Sequence, residues 1–155
     1  MTPMIDEELT GQIIKTFYKV YNTLGHGFIE SVYHNAMILE LVRSGVAVET
    51  EKPIAVYYDD KVVGAFSADL VVEGKIILEL KSKEGLHAAH EAQLTNYLRA
   101  TDIELGFVFN FGKEAEFKRK YFSNKNKRRA TASSRSSDDG ILENLLRKDD
   151  PPKSA

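Results

Sequence analysis

An aspartate at 69, a glutamate at 79 and a lysine at 81, with Gln93 and Tyr97 close behind, place two carboxylates, an amine and two polar heads in one short stretch of chain. In a strand over 76–81, Glu79 and Lys81 are two apart and share a face, while Ile76, Leu78 and Leu80 take the other. Whether Asp69 joins them depends on the register of the preceding hairpin. A two-residue turn at Glu73-Gly74 pairs Val72 with Lys75 and sets Asp69 opposite Leu78. A three-residue loop pairs Val72 with Ile76, Leu70 with Leu78 and Asp69 with Glu79. The second register gathers Leu70, Val72, Ile76, Leu78 and Leu80 on one apolar face, and because a one-residue slip inverts every side chain, it is the predicted one. Burial then drives the two carboxylates together.

Opposed carboxylates in a sheet repel unless something positive lies between them. A divalent cation, Mg²⁺ or Mn²⁺, suits hard oxygen ligands and leaves positions for water and a phosphate oxygen, as metal-assisted phosphodiester hydrolysis requires. Lys81 would orient or deprotonate the attacking water, or stabilise charge building on the phosphate. The competing reading of Asp69, Glu79 and Lys81 is a surface salt bridge, which a chain with 28% charged residues forms readily.

The elements that must position these groups are legible from periodicity. Ile13, Ile14, Phe17, Val20, Tyr21 and Leu24 follow helical spacing within 5–24, and Asp6, Glu7 and Glu8 stand where acids favour a helix start. After Gly25-His26-Gly27, a second helix carries Ile29, Val32, Tyr33, Ala36 and Met37 on one side and ends near Ser44-Gly45; the two should form a hairpin. Glu30 neighbours Tyr33 and Met37 on this helix, whereas His34 and Arg43 are read on its outer face. Glu30 is therefore either a solvated helix-start acid or a third carboxylate facing a metal.

Strands are predicted over 46–50, 54–58, 62–72 and 76–80, with turns at Asp59-Asp60 and Glu73-Gly74, then a helix over 86–100 and a final buried strand over 105–111. The expected order is ααβββ(β)αβ. On the helix over 86–100, His90, Gln93 and Tyr97 share a stripe with Leu86. A glutamine amide can orient a water or hold a phosphate, and a tyrosine hydroxyl can bond the same phosphate; the alternative is that Tyr97 packs with Leu94 and Leu98 and His90 is a satisfied half-core residue.

The 155 residues suffice for one domain over 1–122, followed by a basic, Ser-rich, disordered tail over 123–155 with one short helix at 141–147. Residues 1–122 hold 13 basic and 18 acidic side chains, and 123–155 hold 8 and 5, so phosphate contacts must come from local clusters or a metal. Lys118, Arg119 and Lys120, with Lys83 as a secondary candidate and Lys113, Lys125, Lys127, Arg128 and Arg129 nearby, could meet a nucleic-acid backbone; ordinary solubilising charge is the other reading. The absence of cysteine excludes disulfides and thiolate metal sites, and no phosphate-loop or HExxH motif occurs. With no leader-like or membrane-spanning stretch, a cytoplasmic protein without membrane association is expected.

Gly27-Phe28-Ile29-Glu30-Ser31-Val32-Tyr33 matches the signature of the GxxExxY protein family. Asp69, Glu79-Leu80-Lys81, Gln93 and Tyr97 resemble the PD-(D/E)XK nuclease superfamily to which that family is assigned. The likeness runs from about Ile13 to Tyr121. It implies an α/β, restriction-endonuclease-like core in which an N-terminal helical hairpin is followed by a mixed β-sheet, with a helix between the ExK strand and the last strand. It also implies roles: Asp69, Glu79 and Glu30 on the metal, Lys81 as the catalytic lysine, and Gln93 with Tyr97 as the QxxxY element of RecB-like nucleases. Ala68 stands where the motif name has proline. The implied partner is DNA or RNA, with a homodimer or a protein partner adding recognition surface. The alternative on the same fold is a non-catalytic nucleic-acid-binding or protein-interaction module acting through the basic C-terminal edge.

Overall fold

The computed structural model describes residues 7–86 and 88–127. The predicted helix over 141–147, with Arg128, Arg129 and the rest of the tail, lies outside the described residues. Two helices, α1 (Glu7–Leu24) and α2 (Glu30–Arg43), precede strands β1 (Val48–Tyr58), β2 (Lys61–Val72) and β3 (Ile76–Lys81). Helix α3 (Ala88–Arg99) then leads to β4 (Leu105–Phe111) and β5 (Ala115–Tyr121), and a single 3₁₀ turn covers Asn124–Asn126. The strands form one sheet in the order β1-β2-β3-β4-β5. All neighbours are antiparallel except β3 and β4. This is the expected α/β architecture.

Helices cover both faces of the sheet. On one, Ile13 and Phe17 of α1 and Tyr33, Met37 and Leu41 of α2 pack on Leu70, Val72, Ile76, Leu78, Leu80 and the phenylalanines of β4. On the other, Leu94 and Leu98 of α3 pack on Val71, Ile77 and Val108. The interior strand β4 is buried along its whole length, which is why its sequence is a continuous apolar run rather than an alternation. α2 ends as expected at Ser44-Gly45, where the Gly45 N–H reaches the Val42 carbonyl (2.9 Å) and the Val46 N–H the Leu41 carbonyl (3.1 Å).

Three expectations are revised. The segments 46–50 and 54–58 fall on one strand, β1 (Val48–Tyr58), which lies at the sheet edge, where a proline such as Pro53 is tolerated. The strand over 105–111 is not the last: β5 follows and pairs with it from Leu105–Tyr121 to Phe111–Ala115. Its charged run, Lys118-Arg119-Lys120, hides the strand from hydrophobic patterning but suits an edge position. Finally, His34 is not on the outer face of α2, since its Nε2 lies 3.2 Å from the Asp69 carbonyl oxygen.

The described structure also continues past Phe122. Asn124 donates its backbone N–H to Glu104 (2.8 Å) and its side-chain amide to the Asp102 carbonyl (2.9 Å). Lys127 Nζ donates to the carbonyls of Thr101 (2.9 Å) and Ile103 (2.8 Å). Residues 123–127 thus clasp the loop between α3 and β4.

Candidate active site

The predicted three-residue hairpin loop is present: Val72 pairs with Ile76 and Leu70 with Leu78. Within this loop Glu73 and Gly74 take positive φ, and the Lys75 N–H reaches the Val72 carbonyl at 2.9 Å. Backbone pairing between β2 and β3 spans only 70–72 and 76–78. At the next step the carboxylates take over the ladder. The Asp69 N–H donates to Glu79 Oε1 (3.3 Å), and the Leu80 N–H donates to Asp69 Oδ2 (2.9 Å). Each side chain thereby satisfies a backbone donor that the parting strands would otherwise leave without a ladder partner.

The fork has a structural cause that the sequence pattern did not reveal. In a regular strand, Ala68 and Leu70 would face the same side, yet Ala68 packs with α3 and Leu70 with α1 and α2. Val48 and Ile54 of β1 are divided between the two sides in the same way. Both strands switch faces where Glu51 stands opposite Asp69, and Glu51 adopts φ +48, a region rarely used by residues other than glycine. The outer arm of the β1–β2 hairpin is thus turned towards α3.

Glu79 is only 5% exposed, on the α3 side of the sheet. Burial pushes its carboxyl up to about 8, reinforced by the neighbouring Asp69 charge and a hydrogen bond between the two side chains, against the Asp69 N–H and the Lys81 charge. Lys81 ends β3 opposite Asn110. Fully buried Asn110 fixes the chain just beyond it: its Oδ1 accepts from the Lys83 N–H (2.9 Å), and its Nδ2 donates to the Lys83 carbonyl (3.0 Å). Gly112 permits this approach, because a Cβ there would lie 2.2 Å from the Lys83 carbonyl oxygen. Lys83 itself is exposed and lies beyond the strand, so strand alternation does not carry it to the Lys81 face. It borders a separate hollow of about 570 Å³ with His26 and Lys113.

Helix α3 supplies the next layer. Gly106 lets Leu94 settle on the sheet, since a Cβ there would come within 2.7 Å of Leu94 Cδ1. One turn along, Gln93 Nε2 donates to Tyr97 Oη at 2.7 Å. The Tyr97 hydroxyl is raised above its ordinary pKa by burial and then by the charges of Glu79 and Asp69, with the Gln93 bond opposing. Its ring stacks on Phe66 at 3.8 Å and 6° between planes. Phe66 and His34 are the site neighbours that sequence reading missed. Only the spacing of four between Glu30 and His34 hinted at the latter.

The structure brings Asp69 and Glu79 together and sets Tyr97, held by Gln93, within reach of their charge. Among the described residues, no three His, Asp or Glu side chains gather as a metal-ligand set. Glu30 lies at the first position of α2, partly buried. The motif's Tyr33 is architectural. Fully buried, it stacks on Phe111 at 4.3 Å, donates to the Gly25 carbonyl (2.7 Å) and accepts from the Phe28 N–H (3.2 Å).

Lys118, Arg119 and Lys120 do not form one patch. Strand alternation sends Arg119 to the face of Phe117, and Lys118 and Lys120 to the α3 side. Lys120 pairs there with Glu91 of α3 at 2.7 Å.

A mixed sheet sandwiched by helices, with an acid–acid–lysine set where two strands part, is a restriction-endonuclease-like architecture. The model of the PD-(D/E)XK nuclease superfamily matches residues 7–120, and the chain belongs to that superfamily. Among solved structures, one titled "Crystal structure of SSO0001" is similar over 76% of this chain at 15% identity, with a TM-score of 0.48. The chain spans 55% of the length of that protein. No match was found among curated proteins. Among the described residues, no helix is long and apolar enough to cross a membrane.

Proposed function

We propose that this protein is a metal-dependent nuclease that hydrolyses DNA or RNA phosphodiester bonds at the Asp69–Glu79 pair, as a member of the GxxExxY branch of its superfamily. The observation that carries this reading is the carboxyl pair itself. Two acids held side by side, one almost fully buried, are stable as a charged pair only with a cation between them. Each keeps one oxygen on a backbone N–H, which leaves a second oxygen on each for a hard cation such as Mg²⁺ or Mn²⁺. A divalent ion bound there supplies Lewis-acid polarisation of a phosphate oxygen and a more acidic water.

The chain's own groups divide the remaining tasks. Lys81, at the end of β3, orients the attacking water or takes its proton. Because the Tyr97 oxygen already accepts from Gln93, its own O–H is left to donate to a non-bridging phosphate oxygen. Glu30, at the first position of α2, contributes through a bound water.

The test is calorimetric titration of Mg²⁺ and Mn²⁺ into wild type and the Asp69→Ala/Glu79→Ala double variant, with cleavage of single- and double-stranded substrates assayed alongside. Wild type should bind metal and cleave, and the variant should do neither. Asp69→Ala and Lys81→Ala should each abolish cleavage with folding intact; cleavage persisting in both purified variants overturns the assignment. The alternative of a binding module working through its basic edge finds less support, since Lys118, Arg119 and Lys120 are divided between faces and Lys120 is paired.

A further inference from the structure

A cavity of about 660 Å³ opens between the outer arm of the β1–β2 hairpin, the second half of α3 and the clasp after Phe122. Its size lies within the roughly 300–1,000 Å³ of small-ligand sites. Its walls are aromatic: Phe66 stacked on Tyr97, and Phe122, whose ring carries the Arg99 guanidinium 5.2 Å from its centroid. Polar groups stand along its rim: Tyr57, the exposed amides of Asn96 and Asn126, Arg99, and the Lys127 ammonium, which gives two hydrogens to carbonyls.

We propose that this cavity takes the base of an unpaired nucleotide belonging to the strand whose phosphodiester lies at the acidic pair. The inference rests on the nuclease reading and deepens it. Tyr97 makes the connection. Its ring forms part of the cavity wall and stacks on Phe66, which lies on the same strand as Asp69, so a strand with a phosphate at the acidic pair has a neighbouring base at the cavity mouth. Flat π surfaces suit any base, and an amide, donor and acceptor at once, suits a base edge. A base within a duplex has that edge occupied and its faces stacked, so the site selects an unpaired one. The cations fit the flanking phosphates. The face switch at Glu51 and Asp69 builds the cavity, because it turns Phe66 towards α3; Lys127 closes the opposite side by pinning residues 122–127.

The experiment is an abasic scan with the full chain. A short fluorescein-labelled single-stranded oligonucleotide, with one abasic position moved along it, is titrated in EDTA and read by fluorescence anisotropy. Wild type, Asn96→Ala and Phe122→Ala are compared, with circular dichroism to check folding. Loss of one base should stand out in wild type by about tenfold in affinity, as expected for one stacked base. Phe122→Ala should erase that difference, and exposed Asn96→Ala, which carries little folding risk, should shrink it.

A flat scan in wild type, or a profile unchanged in both cavity variants, overturns the proposal. So does equal affinity for the matched duplex, or for the free nucleoside monophosphate. A flat scan alongside metal-dependent cleavage discards the cavity and leaves the nuclease standing. The expected profile without any cleavage by wild type discards the nuclease and keeps the base site.

Discussion

Glu79 is the residue on which the site's electrostatics turn. Its carboxyl sits near 8 in the fold against 4.5 for an ordinary glutamate, chiefly because it is buried and then because Asp69 is beside it. The folded, metal-free protein therefore binds a proton there more tightly than the unfolded chain does. The associated stability is fully present below about pH 4.5 and is lost as pH rises through 8, at no more than about 1.4 kcal/mol per unit of the gap. Denaturant midpoints of the metal-free protein should fall across that window. Glu79→Gln should flatten this part of the profile, and saturating Mg²⁺ should restore stability at the alkaline end. A wild-type profile indistinguishable from that of Glu79→Gln would show that the pair is not strained by its own charge. The same residue was legible beforehand as one of an acidic pair, because period-two alternation fixed its face. Its depth was not, because burial depends on α3 lying above it.

The elements around the pair are positioned by close approaches. The most constrained is the contact of Gly112 with the Lys83 carbonyl, since that oxygen also accepts from buried Asn110 and has no room to retreat. Gly112→Ala should destabilise the fold by about 1–3 kcal/mol, the usual cost of overpacking, and displace the segment that follows Lys81. Thermal unfolding gives the first quantity, and the loss of activity beyond that explained by unfolding gives the second. Gly106→Ala should cost less, because the nearest atom it meets is the end of the Leu94 side chain, and the backbone oxygen of Ile77 stands farther off at 3.2 Å. Neither contact was legible in the sequence. The partner of each lies far along the chain, beyond the reach of any local pattern.

At the scale of the whole molecule, the clasp formed by residues 123–127 joins the end of α3 to β4 and β5. Lys127 is half-buried, and burial lowers its ammonium to about 8. It makes two carbonyl bonds in return. Lys127→Met in the full chain should remove both bonds and strand two carbonyls, lowering stability by about 1–3 kcal/mol in urea unfolding. An unchanged midpoint would reduce the clasp to a surface contact. Composition placed the tail boundary at Phe122 because lysine, asparagine and serine read as solvated, and it did not distinguish a lysine in water from one whose ammonium bonds the main chain.

The sequence by itself determined the helices, the hairpin register and the nearness of Asp69 to Glu79, because each follows from spacing along a few residues and from the requirement that one face be buried. Only the tertiary structure decided that the strands part at that pair, that both switch faces there, that His34 meets the Asp69 carbonyl and that Phe66 stacks on Tyr97. Those facts arise from packing between segments distant in the chain, where an irregular backbone at Glu51 and a helix seated on Gly106 override the local period.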